Sequence, residues 1–136
     1  MITILSIGKL KETWWKEACS EYIKRLSPYL KIKITEIPET ALQQKNNANE
    51  VKKSEAEKIL KYIKKDSFTV ALSPDGKSCT SEDFSKKMQI WTQKAEVMFI
   101  IGGPLGLDSE IFEKAEEKLS LSSLTFTHQM ARVILL

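Results

Sequence analysis

The chain has 136 residues, 42% of them hydrophobic and 29% charged, and its formal net charge is +3. These values fit one domain, residues 1–136, with its own core, and they exclude a disordered or repeat protein. The absence of an apolar run of about 18 residues predicts a cytoplasmic protein without a membrane span. The chain has one histidine and two cysteines that are distant in sequence, which excludes a zinc site or a disulfide framework.

The first half of the chain alternates between strand-like and helical patterns. Runs rich in β-branched residues end at a glycine or a proline, and stretches with apolar residues every three or four positions follow them. The patterns predict strands at 2–7 and 31–38 and helices at 11–26 and from 51 onward. The polar residues 39–50 are predicted to form a loop.

The second half continues the alternation. It predicts strands at 67–73 and 96–102, a turn at 74–78, a helix capped by Thr80, and helices at 108–119 and from 128 onward. The run at 96–102 has almost no polar interruption, which is typical of a parallel strand buried on both faces. We therefore predict an α/β fold with a mostly parallel sheet flanked by helices.

Spacing argues against two nucleotide-binding motifs. Gly76-Lys77-Ser78 resembles the end of a phosphate-binding loop, but that motif needs a glycine where Ala71 stands. The glycines at 102, 103 and 106 do not have the spacing of a dinucleotide-binding fingerprint. They fit either a tight turn that needs positive φ or bare backbone that a flat ligand such as adenine can approach.

Residues 120–128 allow two interpretations. Serines and threonines alternate there with apolar side chains, which is typical of a polar-faced edge strand but also suits a binding loop. The stretches "ALSPDGK" (71–77), "FIIGGPLGL" (99–107) and "LSLSSLTFTHQMARVILL" (119–136) occur in an order and spacing that resemble the RlmH family of SPOUT methyltransferases. The resemblance covers the whole chain.

The resemblance implies a fold, an activity and a cofactor. The fold would be an α/β sheet whose C-terminal part forms a trefoil knot, in a homodimer. The activity would be methyl transfer from S-adenosylmethionine to N3 of a pseudouridine in helix 69 of 23S rRNA within the assembled 70S ribosome. The cofactor site would be formed by Leu72, Gly102, Gly103, Ser122, Ser123, Leu124, Thr125, Phe126 and Thr127.

His128 and Arg132 are the candidate catalytic residues. Attack by N3 requires loss of its proton, so the reaction calls for a general base or a cation that stabilises the imide anion. The two residues lie four apart, on one face of a helix. Each also has a structural interpretation: His128 as a histidine that satisfies a backbone carbonyl, and Arg132 as a surface charge near a helix end.

The chain stops at Leu136, whereas members of the resembled family continue with a further helix and a tail. We therefore expect a C-terminally short form whose own activity is uncertain. Two alternatives remain open at this stage. One is a catalytically silent homologue that binds ribosomes, and the other is an unrelated flavodoxin-like module that binds a nucleotide or a flavin.

Overall fold

Five strands form one sheet in the computed structural model, which describes residues 1–136. The strands are β1 (Ile2–Ile7), β2 (Ile32–Ile37), β3 (Ser67–Lys77), β4 (Glu96–Ile101) and β5 (Glu117–Leu119). The helices are α1 (Thr13–Leu26), α2 (Ala48–Leu60), α3 (Ser81–Trp91), α4 (Ser109–Lys114) and α5 (His128–Leu135). The strand order is β2-β1-β4-β3-β5 and every pair is parallel, so the predicted α/β fold is confirmed.

The core lies on both faces of the sheet, and β1 and β4 are buried along their whole length. Alternate side chains of β4 point to opposite faces, so Met98 and Ile100 pack with residues of α2 and α4. Val97 and Phe99 pack with Trp91 of α3 on the other face, where α5 also lies. Full burial of one such side chain contributes about 1.5–3 kcal/mol, so these central strands anchor the fold.

Side-chain caps define where several helices begin. The predicted cap at Thr80 is confirmed, because its Oγ1 accepts a hydrogen bond from the amide of Asp83 at 3.1 Å. Asn47 caps α2 in the same way through the amide of Glu50, at 2.9 Å. This cap starts α2 at Ala48, inside the stretch predicted to be a loop. A cap of this kind contributes about 1 kcal/mol.

The predicted turn at 74–78 is wrong, because β3 continues to Lys77. Its pairing with β5 is irregular: Leu72 and Lys77 both lie opposite Leu119, so the four residues between them bulge out of the ladder. Pro74 has no amide hydrogen to donate to a ladder, which explains why the bulge lies there. A Cβ at Gly76 would lie 2.8 Å from the carbonyl carbon of Leu119, so only glycine fits this approach.

The predicted helix at 108–119 is also wrong in its second half. The helix ends at Lys114, and residues 117–119 form β5 against the edge of β3. Glu116 starts this pairing: its amide donates to the carbonyl of Thr69 at 2.9 Å, and its carboxylate accepts from the amide of Thr69 at 2.6 Å. Unpaired backbone on β3 therefore outweighs local helix propensity. Residues 120–127 contain no strand.

Candidate functional site

A cavity of about 520 Å³ lies at the carboxyl ends of three adjacent strands. Leu72 of β3, Ile101 at the end of β4 and the segment after β5 all line it. Ligands of open parallel sheets bind at this edge, because the loops that follow the strands meet there. No helix of the chain is both long and apolar enough to cross a membrane, and no group of three or more His, Cys, Asp or Glu side chains is arranged to hold a metal ion.

The structure brings most of the sequence-predicted cofactor residues to this cavity. Those that line it are Leu72, Gly102, Gly103, Ser122, Leu124, Thr125, Phe126 and Thr127. Ser123 is exposed and does not line it. His128 lines the cavity, whereas Arg132 does not. Residues separated by about 50 positions in sequence therefore form one surface.

The glycines after β4 form a tight turn. The amide of Gly106 donates to the carbonyl of Gly103 at 3.0 Å, and Gly106 adopts a φ of +80°. The positive-φ explanation therefore applies to Gly106 and not to the two glycines that directly follow the strand. Gly102 is required for another reason, because a Cβ there would lie 2.9 Å from the carbonyl carbon of Gly106. The turn presents backbone to the cavity.

Short polar contacts hold the segment after β5 in place. The hydroxyl of Ser120 lies 3.0 Å from the carbonyl of Pro74 and 2.9 Å from the carbonyl of Ser122, and it can donate to either. The amide of Leu124 donates to Oγ of Ser122 at 3.1 Å. Because Ser120 is 6% exposed, its contacts fix two walls of the cavity relative to each other.

His128 opens α5 with an almost fully buried imidazole, whose side chain is 7% exposed. Its Nε2 lies 3.6 Å from Oε1 of Glu39, and its buried Nδ1 has no hydrogen-bond partner. Burial lowers the pKa of His128, and the positive charge of Arg132 lowers it further, while Glu39 opposes the shift. Because its pKa lies below the ordinary value, the neutral imidazole is favoured at pH 7.

Arg132 lies one turn further along α5 and is 1% exposed. Its Nη1 donates to Oε1 of Glu36 at 2.6 Å, and its Nη2 donates to the carbonyl of Gly8 at 3.3 Å. Burial alone would raise the pKa of Glu36, but hydrogen bonds from Arg132 and from the amide of Leu10 outweigh it and lower the pKa. The guanidinium is thus enclosed by its own chain, without the access that a phosphate group would need.

Glu39 is a cavity residue that the sequence analysis missed. It follows β2, in the stretch that was predicted to be only a loop, and its carboxylate lines the cavity beside His128. The rule that binding residues gather at the carboxyl ends of parallel strands was the signal that could have identified it.

A family model described as "Predicted SPOUT methyltransferase" matches residues 1–136. The chain belongs to the SPOUT methyltransferase family. It is therefore a methyltransferase by family, as the resemblance in the sequence predicted, and the alternative of an unrelated flavodoxin-like module is wrong.

Several curated relatives of this SPOUT methyltransferase are named "Ribosomal RNA large subunit methyltransferase H". The one from Ruminiclostridium cellulolyticum is 46% identical over 140 residues, which cover 99% of this chain and 88% of the relative. The one from Clostridium botulinum (strain Hall) is 44% identical over 142 residues, with the same coverage. The one from Shouchella clausii is 42% identical over 139 residues, which cover 98% of this chain and 87% of the relative.

Proposed function

We propose that this SPOUT methyltransferase transfers a methyl group from S-adenosylmethionine to N3 of a pseudouridine in helix 69 of 23S rRNA, on assembled 70S ribosomes in the cytoplasm. The observation that carries the proposal is the cavity at the strand ends, lined by the glycine turn and by residues 121, 122 and 124–127. The names of the relatives support large-subunit rRNA as the substrate. The choice of nucleotide follows the RlmH resemblance.

The cavity fits S-adenosylmethionine in size and in lining. Its volume of about 520 Å³ lies within the range of about 300–1,000 Å³ that is usual for small-molecule sites. Leu72 and Phe126 supply apolar contact for the adenine, and the bare backbone of Gly102 and Gly103 leaves room for the ribose and base to approach. When bound, S-adenosylmethionine supplies an electrophilic methyl group on its sulfonium.

The protein's contribution is to position the nucleophile and to take its proton. We assign the general base to His128, which lines the cavity and accepts the N3 proton as the new carbon–nitrogen bond forms and the carbon–sulfur electron pair stays on sulfur. Arg132 supports the imide anion as a fixed positive charge one turn away. Because Arg132 is enclosed, it acts through its field and by holding α5 against Gly8 and Glu36.

We also propose the homodimer and the trefoil knot. Exposed apolar side chains near the cavity and along α5 support a second copy as a cover: Leu124 is 72% exposed, Ile134 48% and Met130 40%. The path of the chain supports the knot, because the segment after edge strand β5 crosses back to pack α5 against α1, β1 and β4.

The test combines calorimetric titration with S-adenosylmethionine and transfer of a labelled methyl group to 70S ribosomes, with the modified nucleotide located by mass spectrometry. Ribosomes that carry uridine in place of pseudouridine in helix 69 are the control. We expect the chain to bind S-adenosylmethionine and to methylate the ribosomes that carry pseudouridine but not those that carry uridine. Binding of cofactor and ribosomes without methylation would instead indicate the silent homologue, and absence of cofactor binding would refute the cavity assignment.

A further inference from the structure

The cavity has a single carboxylate in its lining, that of Glu39. His128 is the other ionisable lining residue, and burial lowers the pKa of its imidazole. No lysine or arginine lines the cavity, although the chain as a whole carries a net charge of +3. The cavity wall therefore carries negative charge, although the protein as a whole has a positive net charge.

Contacts from α2 hold Glu39 on both of its sides in the chain. Nζ of Lys58 donates to the carbonyl of Pro38 at 3.3 Å, directly before Glu39. The amide of Thr40, directly after it, donates to Oε1 of the buried Glu55 at 3.2 Å. Because the backbone is held on both sides of Glu39, its carboxylate starts from a fixed backbone position at the cavity wall.

Gly8 provides the space that this carboxylate occupies. A Cβ at Gly8 would lie 2.7 Å from Oε1 of Glu39 and 2.7 Å from Cε1 of His128, so any side chain would displace both. Gly8 also has a φ of +97°, which disfavours other residues. The chain therefore keeps Glu39 and His128 together at one end of the cavity.

We propose that Glu39 recognises the positive charge of the sulfonium, so that the cavity favours S-adenosylmethionine over S-adenosylhomocysteine. The inference rests on the proposed function, since it presumes that this cavity holds the cofactor. The two molecules share the adenosine and the amino acid part and differ in the methyl group and its charge. A nearby carboxylate attracts the cation and has no such attraction for the neutral thioether.

The consequence concerns release of the product. Loss of the methyl group neutralises the sulfur, so the attraction to Glu39 ends when the reaction is complete. Glu39 has a side chain that is 45% exposed, and its attraction is therefore reduced by water and salt. An effect of about three- to fivefold in affinity is the expected size.

The test is calorimetric titration of the wild-type chain, Glu39→Gln and Glu39→Lys with S-adenosylmethionine and with S-adenosylhomocysteine. Glu57→Gln is the matched control, because Glu57 is exposed on α2, outside the cavity lining, and loses the same charge. We expect Glu39→Gln to lower the affinity for S-adenosylmethionine about three- to fivefold and the affinity for S-adenosylhomocysteine less than twofold. Glu39→Lys should enlarge the difference between the affinity losses for the two ligands, and added salt should reduce that difference.

Equal weakening of both ligands would overturn the inference, since the charge recognised would then be the ammonium that they share. Unchanged affinities in both Glu39 variants would overturn it as well. Failure of the proposed function gives a different result, because the wild-type chain itself would then bind neither ligand.

Discussion

Arg132 of α5 donates a hydrogen bond to Glu36 of β2 at 2.6 Å, across 96 residues of sequence. The same guanidinium reaches the carbonyl of Gly8 after β1, so one buried side chain joins three elements behind the candidate site. A lysine has one ammonium in place of the planar fork and cannot reproduce both contacts. The arrangement thus explains why an arginine lies here although it does not face the cavity.

Loss of this arginine is expected to destabilise the chain. Arg132→Met removes the side-chain donor to the carbonyl of Gly8 and leaves the carboxylate of Glu36 with the amide of Leu10 alone, so the free energy of unfolding should fall by about 3 kcal/mol in urea denaturation at pH 7. Glu36→Gln should cost less, because an amide oxygen still accepts.

The pH dependence of the Glu36 variant provides a second readout. The pKa of Glu36 is lowered in the folded chain, so its contribution is present above its unfolded pKa and is lost as the pH falls through the folded value. The cost of Glu36→Gln should therefore shrink between pH 7 and about pH 3. An equal cost at both pH values would refute the ion pair as its cause.

The two glycines after β4 should respond differently to alanine. Gly102→Ala places a methyl group 2.9 Å from backbone of Gly106, which cannot give way without opening the turn. Gly103→Ala meets side chains only: Cγ2 of Ile7 at 3.1 Å and the carboxylate oxygens of Glu55 at 3.6 Å, which is an ordinary contact distance. We expect Gly102→Ala to lower the free energy of unfolding by about 1–3 kcal/mol and to weaken cofactor binding. Gly103→Ala should lower the free energy of unfolding less, as measured by thermal unfolding. The reverse order would contradict the close-approach explanation.

Glu55 is a buried carboxylate that costs stability at neutral pH. Burial raises its pKa and the nearby charge of Glu39 raises it further, against the opposing effects of the amide of Thr40 and of Lys58, so the pKa of Glu55 is higher in the folded chain than its ordinary value. The unfavourable ionisation is present above the folded pKa and disappears as the pH falls below it. Glu55→Gln keeps an acceptor for the amide of Thr40 and should raise Tm at pH 8 by a few degrees, about the effect of 1 kcal/mol.

The same substitution should change Tm much less at about pH 3, where Glu55 is protonated in both folded and unfolded chains. Scanning calorimetry at the two pH values measures the difference. A lower Tm at pH 8 would show that the charge of Glu55 is needed for the fold.

His128 should determine the acid side of the pH profile for methyl transfer. Because its pKa is lowered, the imidazole stays a base down to below about pH 6.5, and the rate should fall only below that value. His128→Asn should lower kcat by about 10²–10⁴-fold and remove this decline. Affinity for S-adenosylmethionine, measured by calorimetry, serves as the control and should change little. An unchanged pH profile in the variant would exclude His128 as the base.

The exposed apolar face of α5 should control assembly. Ile134→Asp places a charge on the proposed interface and should convert a dimer to a monomer in sedimentation velocity. Ile90→Asp is the control, because Ile90 is 62% exposed on α3 and lies outside the proposed interface. A wild-type chain that sediments as a monomer would refute the dimer.

Local patterns were sufficient for the central elements of the fold. The apolar runs of β1 and β4 and the cap at Thr80 are visible within a few residues, and each was predicted where it lies. The edge of the sheet was not predictable in this way. β5 and the extension of β3 exist because Glu116 and Ser120 bond to strand backbone more than 40 residues away, which no local window contains.

The candidate site likewise has residues that local sequence motifs predict and one residue that they do not. The glycine turn and the segment 121–127 belong to motifs that can be read in the sequence, and apart from Ser123 the segment lines the cavity beside the turn. Glu39 belongs to no motif. Its position depends on α2, on the missing side chain of Gly8 and on the imidazole of His128, which are brought together only by folding.

The docking of α5 also sets an order of events during synthesis. Arg132 donates a hydrogen bond to the carbonyl of Gly8 across 124 residues, so this contact at the end of β1 cannot form until Arg132 has been synthesised. A nascent chain can pair β1 with β2 early, but it lacks His128 and the segment 121–127 that enclose the cavity. Cofactor binding is therefore a property that the protein acquires only after these residues have emerged, and refolding should be limited by this late, long-range step.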